Sequence, residues 1–344
     1  MEIGISMFGD LAYRQPGRSF QPAHERVQEI LEEVKLADEA GLDVFGIGEH
    51  HRPDYAVSSP EMILTAAATI TKRIRLTSSV TVLSSADPVR VFQNFATLDL
   101  VSNGRAEITA GRGSFIESFP LFGYDLKDYD SLFAEKLDLL VKINNTNPIT
   151  WKGKHRPALN NQLVLPRPLQ GKLPVWVAVG GTPESVIRAA RAGLPMIIAI
   201  IGGNPAQFKP FFDLYREEYT AAGHDPAQIQ LATHSHGLAG EDGEAIAETY
   251  FPYYAAQMDR VGSSRGWPPY TRGQYDAGRR KAGHLFIGDA SALTDKILYQ
   301  QGLFGLTRFL LHTDVGAPDH SMLMKSIEIL GNKIIPEVKK VLGG

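Results

Sequence analysis

Apolar and polar positions along this chain follow two rhythms. Eight short apolar runs recur, at Ile3 to Phe8, Asp43 to Ile47, Ile74 to Val80, Ala106 to Ala110, Val175 to Val179, Met196 to Ile200, Gln230 to His236 and Thr307 to His312. Between them apolar residues fall at helical spacing, as at Val27, Ile30, Leu31, Val34 and Leu36, a pattern that stops at Gly41. Asp87 and Pro88 mark another helix start, a capping carboxylate followed by a ring already set at helical φ, with Val91, Phe92, Phe95 and Leu98 behind it. Strand and helix in alternation predict a mainly parallel sheet. The runs are too apolar for a sheet with one wet face, so they predict a closed (β/α)8 barrel, an α/β fold of the TIM type with insertions; an open doubly wound sheet is the alternative.

Two stretches break the rhythm. Residues 146–172 carry prolines at 148, 157, 166 and 168 and read as an irregular or short-hairpin excursion. Residues 260–285 are rich in Gly, Pro and Arg and read either as a mobile lid or as a passive surface insertion. With 344 residues, 43% of them hydrophobic, the chain is read as one domain over 1–344 with these two excursions. A formal net charge of -3 gives no electrostatic reason to expect nucleic acid or an anionic membrane as partner. The absence of cysteine removes disulfides, thiolate metal sites and cysteine nucleophiles together. The N-terminal residues lack a signal-type pattern and no apolar run is long enough to span a bilayer, so a soluble cytoplasmic protein is expected.

In a barrel, chemistry gathers at the C-terminal ends of the strands. The residues there are Gly48-Glu49-His50-His51-Arg52 after the second run, Gly111-Arg112-Gly113-Ser114 after the fourth and Gly180-Gly181-Thr182-Pro183-Glu184-Ser185 after the fifth. Gly180 and Gly181 permit close backbone approach, Thr182 can cap, Pro183 suits a first helical turn, and the amides of Gly181, Thr182, Glu184 and Ser185 can face an anion. This describes a phosphate seat; it also describes an ordinary capped helix start. Arg112 between glycines suits a phosphate grip, or a simple pairing with a neighbouring carboxylate. His234 and His236 share a strand face and make a metal-dependent hydrolase the competing chemistry. There is no G-x-G-x-x-G turn, P-loop or G-x-S-x-G elbow.

Taken in order, Gly46-Ile47-Gly48-Glu49-His50-His51, the run Leu76 to Leu83 leading into Asp87-Pro88-Val89-Arg90, Ser102-Asn103-Gly104-Arg105, Gly111-Arg112-Gly113, Phe122-Gly123 and Gly193-Leu194-Pro195-Met196-Ile197 resemble the bacterial luciferase-like flavin-dependent monooxygenases. The resemblance runs through nearly the whole chain and is weakest between residues 235 and 285. It implies a barrel that binds reduced FMN at the strand C-termini, with Arg112, Gly181, Thr182 and Ser185 where the family holds the flavin phosphate and Gly180 beside them. Luciferase itself has an acidic residue at the position of Gly181; the family contact there is a backbone amide. The resemblance places a non-proline cis peptide between Ser79 and Val80 beneath the flavin ring. It puts His50 on the histidine of oxygenation chemistry, suited by a pKa near neutrality to move protons, with Glu49 to orient or charge it. It implies reaction with O2 through a flavin C4a-peroxy adduct and a homodimer joined near the second and third barrel units; with no nicotinamide motif, a separate flavin reductase is the expected partner, and direct reduction by a nicotinamide bound in the barrel mouth is the alternative. An F420-dependent hydride-transfer enzyme and a noncatalytic flavin module are the further alternatives, and retention of His50 argues against the module. Aldehyde, alkanesulfonate, thioether and heterocycle substrates are all open at this stage.

Overall fold

The computed structural model of the chain describes residues 1–15, 19–113, 115–263 and 265–343, so Ser114, and Ser264 within the second excursion, lie outside the described residues. Eight parallel strands form its centre: β1 (Glu2–Met7), β2 (Val44–Ile47), β3 (Arg75–Ser78), β4 (Ala106–Gly111), β5 (Val175–Val179), β6 (Met196–Ala199), β7 (Leu231–Ala239) and β8 (Arg308–His312). Each pairs with its neighbours in sequence, and β8 returns to β1 with Arg308 opposite Glu2. The sheet is closed, so the open alternative falls. Its strands have no face to give to water: every residue of β2, β4 and β8 is buried. Val44, Trp176, Ile197, Ala232 and Leu310 pack together as one cluster, while Phe45, Ile108 and Leu311 belong to the larger core that includes the helices. Each such side chain stabilises the fold by about 1.5–3 kcal/mol when fully buried.

The helices that position the site are α1 (Ala23–Glu39), α2 (Pro60–Ile70), α3 (Pro88–Ser102), α4 (Tyr129–Asn145), α5 (Pro183–Arg191), α6 (Gly243–Ser263) and α7 (Arg272–Arg279). Helix α3 starts as its sequence dictates, the Asp87 carboxylate accepting from the amides of Val89 and Arg90. Near the strand N-termini, Arg308 pairs with Glu107 at 2.7 Å and with Glu2 at 2.6 Å, and its guanidinium lies 4.4 Å from the centre of the Trp176 ring. This buried ionic layer closes the end of the barrel away from the polar rim. At the rim, the buried carboxylate of Asp314 accepts from the amides of Phe8 (3.0 Å), Gly9 (2.8 Å) and Asp10 (3.2 Å), tying the exit of β1 to that of β8.

The first excursion contains a short hairpin, Ile149–Trp151 against Leu159–Gln162, as its turn residues suggest. The second is more regular than expected. Helix α6 continues to Ser263, and α7 follows, opened by a reciprocal cap between Thr271 and Gln274. Tyr275 of α7 is fully buried among Tyr250, Tyr254 and Leu285. Lys296 donates to the carbonyl oxygens of Arg280 (2.6 Å) and Gly278 (3.2 Å), holding the C-terminal end of α7 from below. Strand β7 also runs three residues past its expected end, because Gly237, Leu238 and Ala239 pair with a short strand, Phe286–Gly288. Among the described residues no helix is long and apolar enough to cross a membrane.

Candidate active site

The C-terminal ends of β2, β3, β4, β5 and β7 surround a cavity of about 420 Å³ whose wall includes Glu49, His50, Ser79, Val80, Arg112 and Gly180. The Ser79-Val80 peptide is cis, and Val80 packs so closely on β4 that a Cβ at Gly111 would lie 2.5 Å from it. Glycine is therefore required at that point of β4. Gly181, Thr182 and Ser185 lie just beyond the cavity wall on the turn into α5, with Gly181 at φ +87° and the Thr182 and Ser185 hydroxyls 2.9 Å apart. The amide of Ser185 is already spent on the Thr182 carbonyl at 3.1 Å, so it is not the free anion donor expected of it.

Arg112 sits against this turn, its Nη2 3.9 Å from where a Cβ of Gly180 would be. It also pairs with Asp130 of α4 at 2.7 Å, and its guanidinium lies 5.3 Å from the Tyr129 ring centre. Both readings of Arg112 thus meet in one place: a strand-end cation beside a glycine turn, and a carboxylate partner. Asp130 is 71% exposed, so that pairing is weak and displaceable.

His50 is buried, with its ring packed against Phe8 (4.4 Å between centres), Tyr55 (4.3 Å) and Phe115 (5.2 Å). Nε2 is buried and has no hydrogen-bond partner. Desolvation, aided by the nearby Arg52 charge, pushes its pKa down to about 3. The expected near-neutral imidazole is therefore replaced by one that is uncharged throughout the physiological range. Glu49 does not reach it either. One Glu49 oxygen accepts from His51 Nε2 at 2.9 Å and the other from the Val82 amide at 2.9 Å, so this carboxylate fixes His51 and the chain after the cis peptide.

His234 and His236 do share the inner face of β7. His234 faces the same cavity and lies 2.7 Å from the Ser6 hydroxyl, whereas the Nδ1 of His236 lies 3.1 Å from the Tyr254 hydroxyl. Burial lowers their pKa values to about 4 and about 3. Among the described residues no group of three or more His, Cys, Asp or Glu side chains is placed to hold a metal ion. A second, larger chamber of about 770 Å³ adjoins the first, sharing Phe8, Phe115 and Arg265 with it, and is roofed by residues of α6 and α7 and the link between them.

The family model of luciferase-like monooxygenases matches residues 1–307. The chain belongs to the luciferase-like monooxygenase family. Within reach of it by sequence, the uncharacterized protein y4vJ of Sinorhizobium fredii is 25% identical over 334 residues, 92% of this chain and 93% of that protein. Among solved structures, monooxygenase RslO1 from Streptomyces bottropensis has a TM-score of 0.85 at 22% identity, covering 98% of this chain and 99% of that one. The oxygenating constituent of 3,6-diketocamphane monooxygenase from Pseudomonas putida, in complex with FMN, gives 0.75 at 20% over 98% and 99%. The coenzyme F420-dependent tetrahydromethanopterin reductase of Methanopyrus kandleri gives 0.75 at 20% over the same shares. The barrel is thus common to oxygenases and F420 enzymes.

Two further residues of this luciferase-like monooxygenase stand out only in the structure. Arg188 of α5, one turn after Ser185, has a buried Nη1 without a partner, and its pKa is lowered by burial first and then by the charge of Arg112. A three-residue spacing from Ser185 on a helix was the available signal. Asp10, following β1, lines the larger chamber; burial, then Asp314, holds its carboxyl well above the usual range. Nothing in the residues around Asp10 announces that.

Proposed function

We propose that this luciferase-like monooxygenase takes up reduced FMN in the 420 Å³ cavity and, with O2, oxidises a small organic substrate. The observation that carries the reading is the cavity's divided chemistry. Arg112 and Gly180 stand at one part of the wall, followed by Gly181, Thr182 and Ser185 on the turn into α5, while Ser79, Val80 and a buried neutral His50 form another; Arg188, one turn further along α5, feels the charge of Arg112 and has a buried Nη1 without a partner. Two guanidinium groups that oppose each other, one with an unsatisfied buried nitrogen, suit a dianion such as the FMN phosphate. The complex of a family-like barrel with FMN supports the same choice.

Bound reduced FMN supplies two electrons and two protons, so that one atom of O2 enters the substrate and the other leaves as water. Arg112, with the Gly180 to Ser185 turn, binds and orients. Phe8, Tyr55 and Phe115 exclude water around His50. In that dry setting His50, its buried Nε2 unpartnered, holds or accepts one proton in the reaction without carrying a resting charge. Glu49 positions His51 rather than acting on His50. Lacking a nicotinamide-binding turn, the protein receives reduced flavin from a separate cytoplasmic reductase. It pairs as a homodimer through α2 and α3, where Met62, Ile70, Leu100 and Val101 are exposed.

The test is anaerobic titration with FMNH2, oxidised FMN and reduced F420, followed by mixing with isotopically labelled O2 and a substrate panel. Tighter binding of FMNH2 than of oxidised FMN, with label in the product, is the expected result. Binding of reduced F420 in preference, with hydride transfer in the absence of O2, would replace this reading by the F420 one.

A further inference from the structure

We propose that the 770 Å³ chamber under the α6–α7 roof seats the organic substrate, and that this substrate is an uncharged, hydroxyl-bearing compound of fused aromatic rings. The proposal rests on the reading of the adjoining cavity as the flavin seat, because oxygen transfer requires the two reactants to meet. They meet at the wall shared by the two spaces, formed by Phe8, Phe115 and Arg265. His50 packs on both of those phenylalanines, at 4.4 and 5.2 Å between ring centres.

Three properties of the chamber select the ligand. The first is room: its volume is that of sites for compounds well above the size of a short aldehyde or thioether. The second is the wall, where Phe8, Tyr55, Phe115, Tyr254, Trp267 and Tyr270 present aromatic faces and edges from several elements. Such walls favour flat rings, which gain offset and edge contacts beyond plain burial.

The third is charge and hydrogen bonding. The titratable acids and bases facing the chamber are Asp10 from the end of β1, His236 from β7, His312 from β8, His284 from the segment after α7, and Arg265 between α6 and α7. Burial raises the carboxyl pKa of Asp10 well above its ordinary value and lowers those of the three histidines, favouring the uncharged form of each. Arg265 alone is charged, and it stands over the rings of Phe115 and Trp267 at the shared wall. A carboxylate or sulfonate seated away from Arg265 would be a buried charge with no counter-charge. Against that apolar background, Asp10 Oδ1, Gln257 Oε1 and the Tyr270 hydroxyl are buried without partners. Asp10 and Gln257 flank Tyr55: Asp10 pairs with it through the backbone, and Gln257 Nε2 donates to its hydroxyl at 2.9 Å. A carboxyl whose burial favours the donating form and an amide oxygen that can only accept are together the complement of a hydroxyl group, which does both.

The test uses the whole chain without added flavin and three probes: 1-naphthol, naphthalene and naphthalene-1-sulfonate, with decanal as a linear control, followed by Trp fluorescence and calorimetry. Naphthol is expected to bind more tightly than naphthalene by about 3- to 10-fold, the value of one hydrogen bond, and roughly 100-fold more tightly than the sulfonate. Gln257→Leu should erase the preference for naphthol over naphthalene, and Trp267→Ala should weaken both. Preferred binding of the sulfonate or of decanal, or an unchanged preference in Gln257→Leu, overturns the assignment. FMNH2 titration of the same variants separates the two readings: normal flavin binding with no naphthol preference sinks this proposal alone, and naphthol binding as expected with no flavin binding sinks the flavin seat alone.

Discussion

Replacing Arg112 by Ala separates phosphate binding from every other contribution to the flavin site. In the free protein the Arg112 side chain is 20% exposed and spends its charge on an Asp130 that is 71% exposed. Such a pair is worth about 0–1 kcal/mol, so the variant should fold with nearly unchanged stability. A charge-assisted contact to a phosphate contributes about 1.5–3 kcal/mol, and giving up the Asp130 pairing subtracts up to about 1 from it. The net loss of about 0.5–3 kcal/mol corresponds to roughly 2- to 150-fold weaker FMNH2 binding. Asp130→Asn should act in the opposite direction, tightening FMNH2 several-fold, because it frees the guanidinium and removes a neighbouring negative charge. The assay is anaerobic fluorescence titration with FMNH2 and, as a phosphate-free control, reduced riboflavin. Riboflavin affinity should be the same in all three proteins. If Arg112→Ala loses FMNH2 and riboflavin equally, or neither, the phosphate does not lie at Arg112 and the division of the cavity argued above is wrong.

His50→Ala should leave FMNH2 affinity within a few-fold, lower the oxygenation rate by about 10² to 10⁴ and raise release of hydrogen peroxide, as read by stopped-flow mixing with O2. Because His50 has a pKa of about 3, the wild-type rate should show no ionisation near pH 6.5 that disappears in His50→Gln; finding one would contradict the burial argument. Stability should fall as pH drops below about 6.5, the unfolded histidine value, since unfolding lets His50, His234, His236 and His312 take up protons they refuse when folded. Asp10 and Asp314 act in the opposite sense over the acidic range, holding protons in the fold, but two carboxyls are outnumbered by four imidazoles; urea midpoints rising from pH 7 to pH 5 would refute this. Glu107→Ala strips the buried Arg308 of its main partner and should cost about 3–5 kcal/mol in urea unfolding while leaving flavin affinity unchanged. Lys296→Met removes the donor under the end of α7 and should speed limited proteolysis between α6 and α7, slowed again by substrate; equal rates in both proteins would mean the lysine does not hold the roof.

The barrel was legible because its strands are buried on both faces. Continuous apolar runs such as Val175 to Val179 leave few other readings, and the strand starts and ends differ mostly by a residue or two from those expected. The order within the 260–285 stretch was not legible, for the opposite reason. Arg272 to Arg279 contains two glycines, and beside its Thr271–Gln274 cap what holds it as a helix is tertiary: Tyr275 buried against α6, with Lys296 closing its end. Rim residues could be located from their place after the strands, and the structure brings His50, Ser79, Val80, Arg112 and Gly180 to one cavity. Their chemical states could not. The pKa of His50 depends on Phe8, Tyr55 and Phe115, and Glu49 chooses His51 over His50 through geometry that adjacency in sequence does not specify. Arg188 and Asp10 were invisible for a similar reason, since an unsatisfied or neutralised group is defined by what surrounds it.

The grip of Asp314 on the amides of Phe8, Gly9 and Asp10 joins groups 304 to 306 positions apart. During synthesis the first strand therefore leaves the ribosome long before its anchor exists, by about 15–60 s at ordinary rates of elongation. Until then Phe8 has no fixed place, and neither space it walls has its final shape. Nascent chains stalled before residue 314 should carry most of the strands yet bind neither ligand. The protein gains its pockets only once residue 314 has been made, and a truncation before it that spares nearly all of the barrel would still release a product without them.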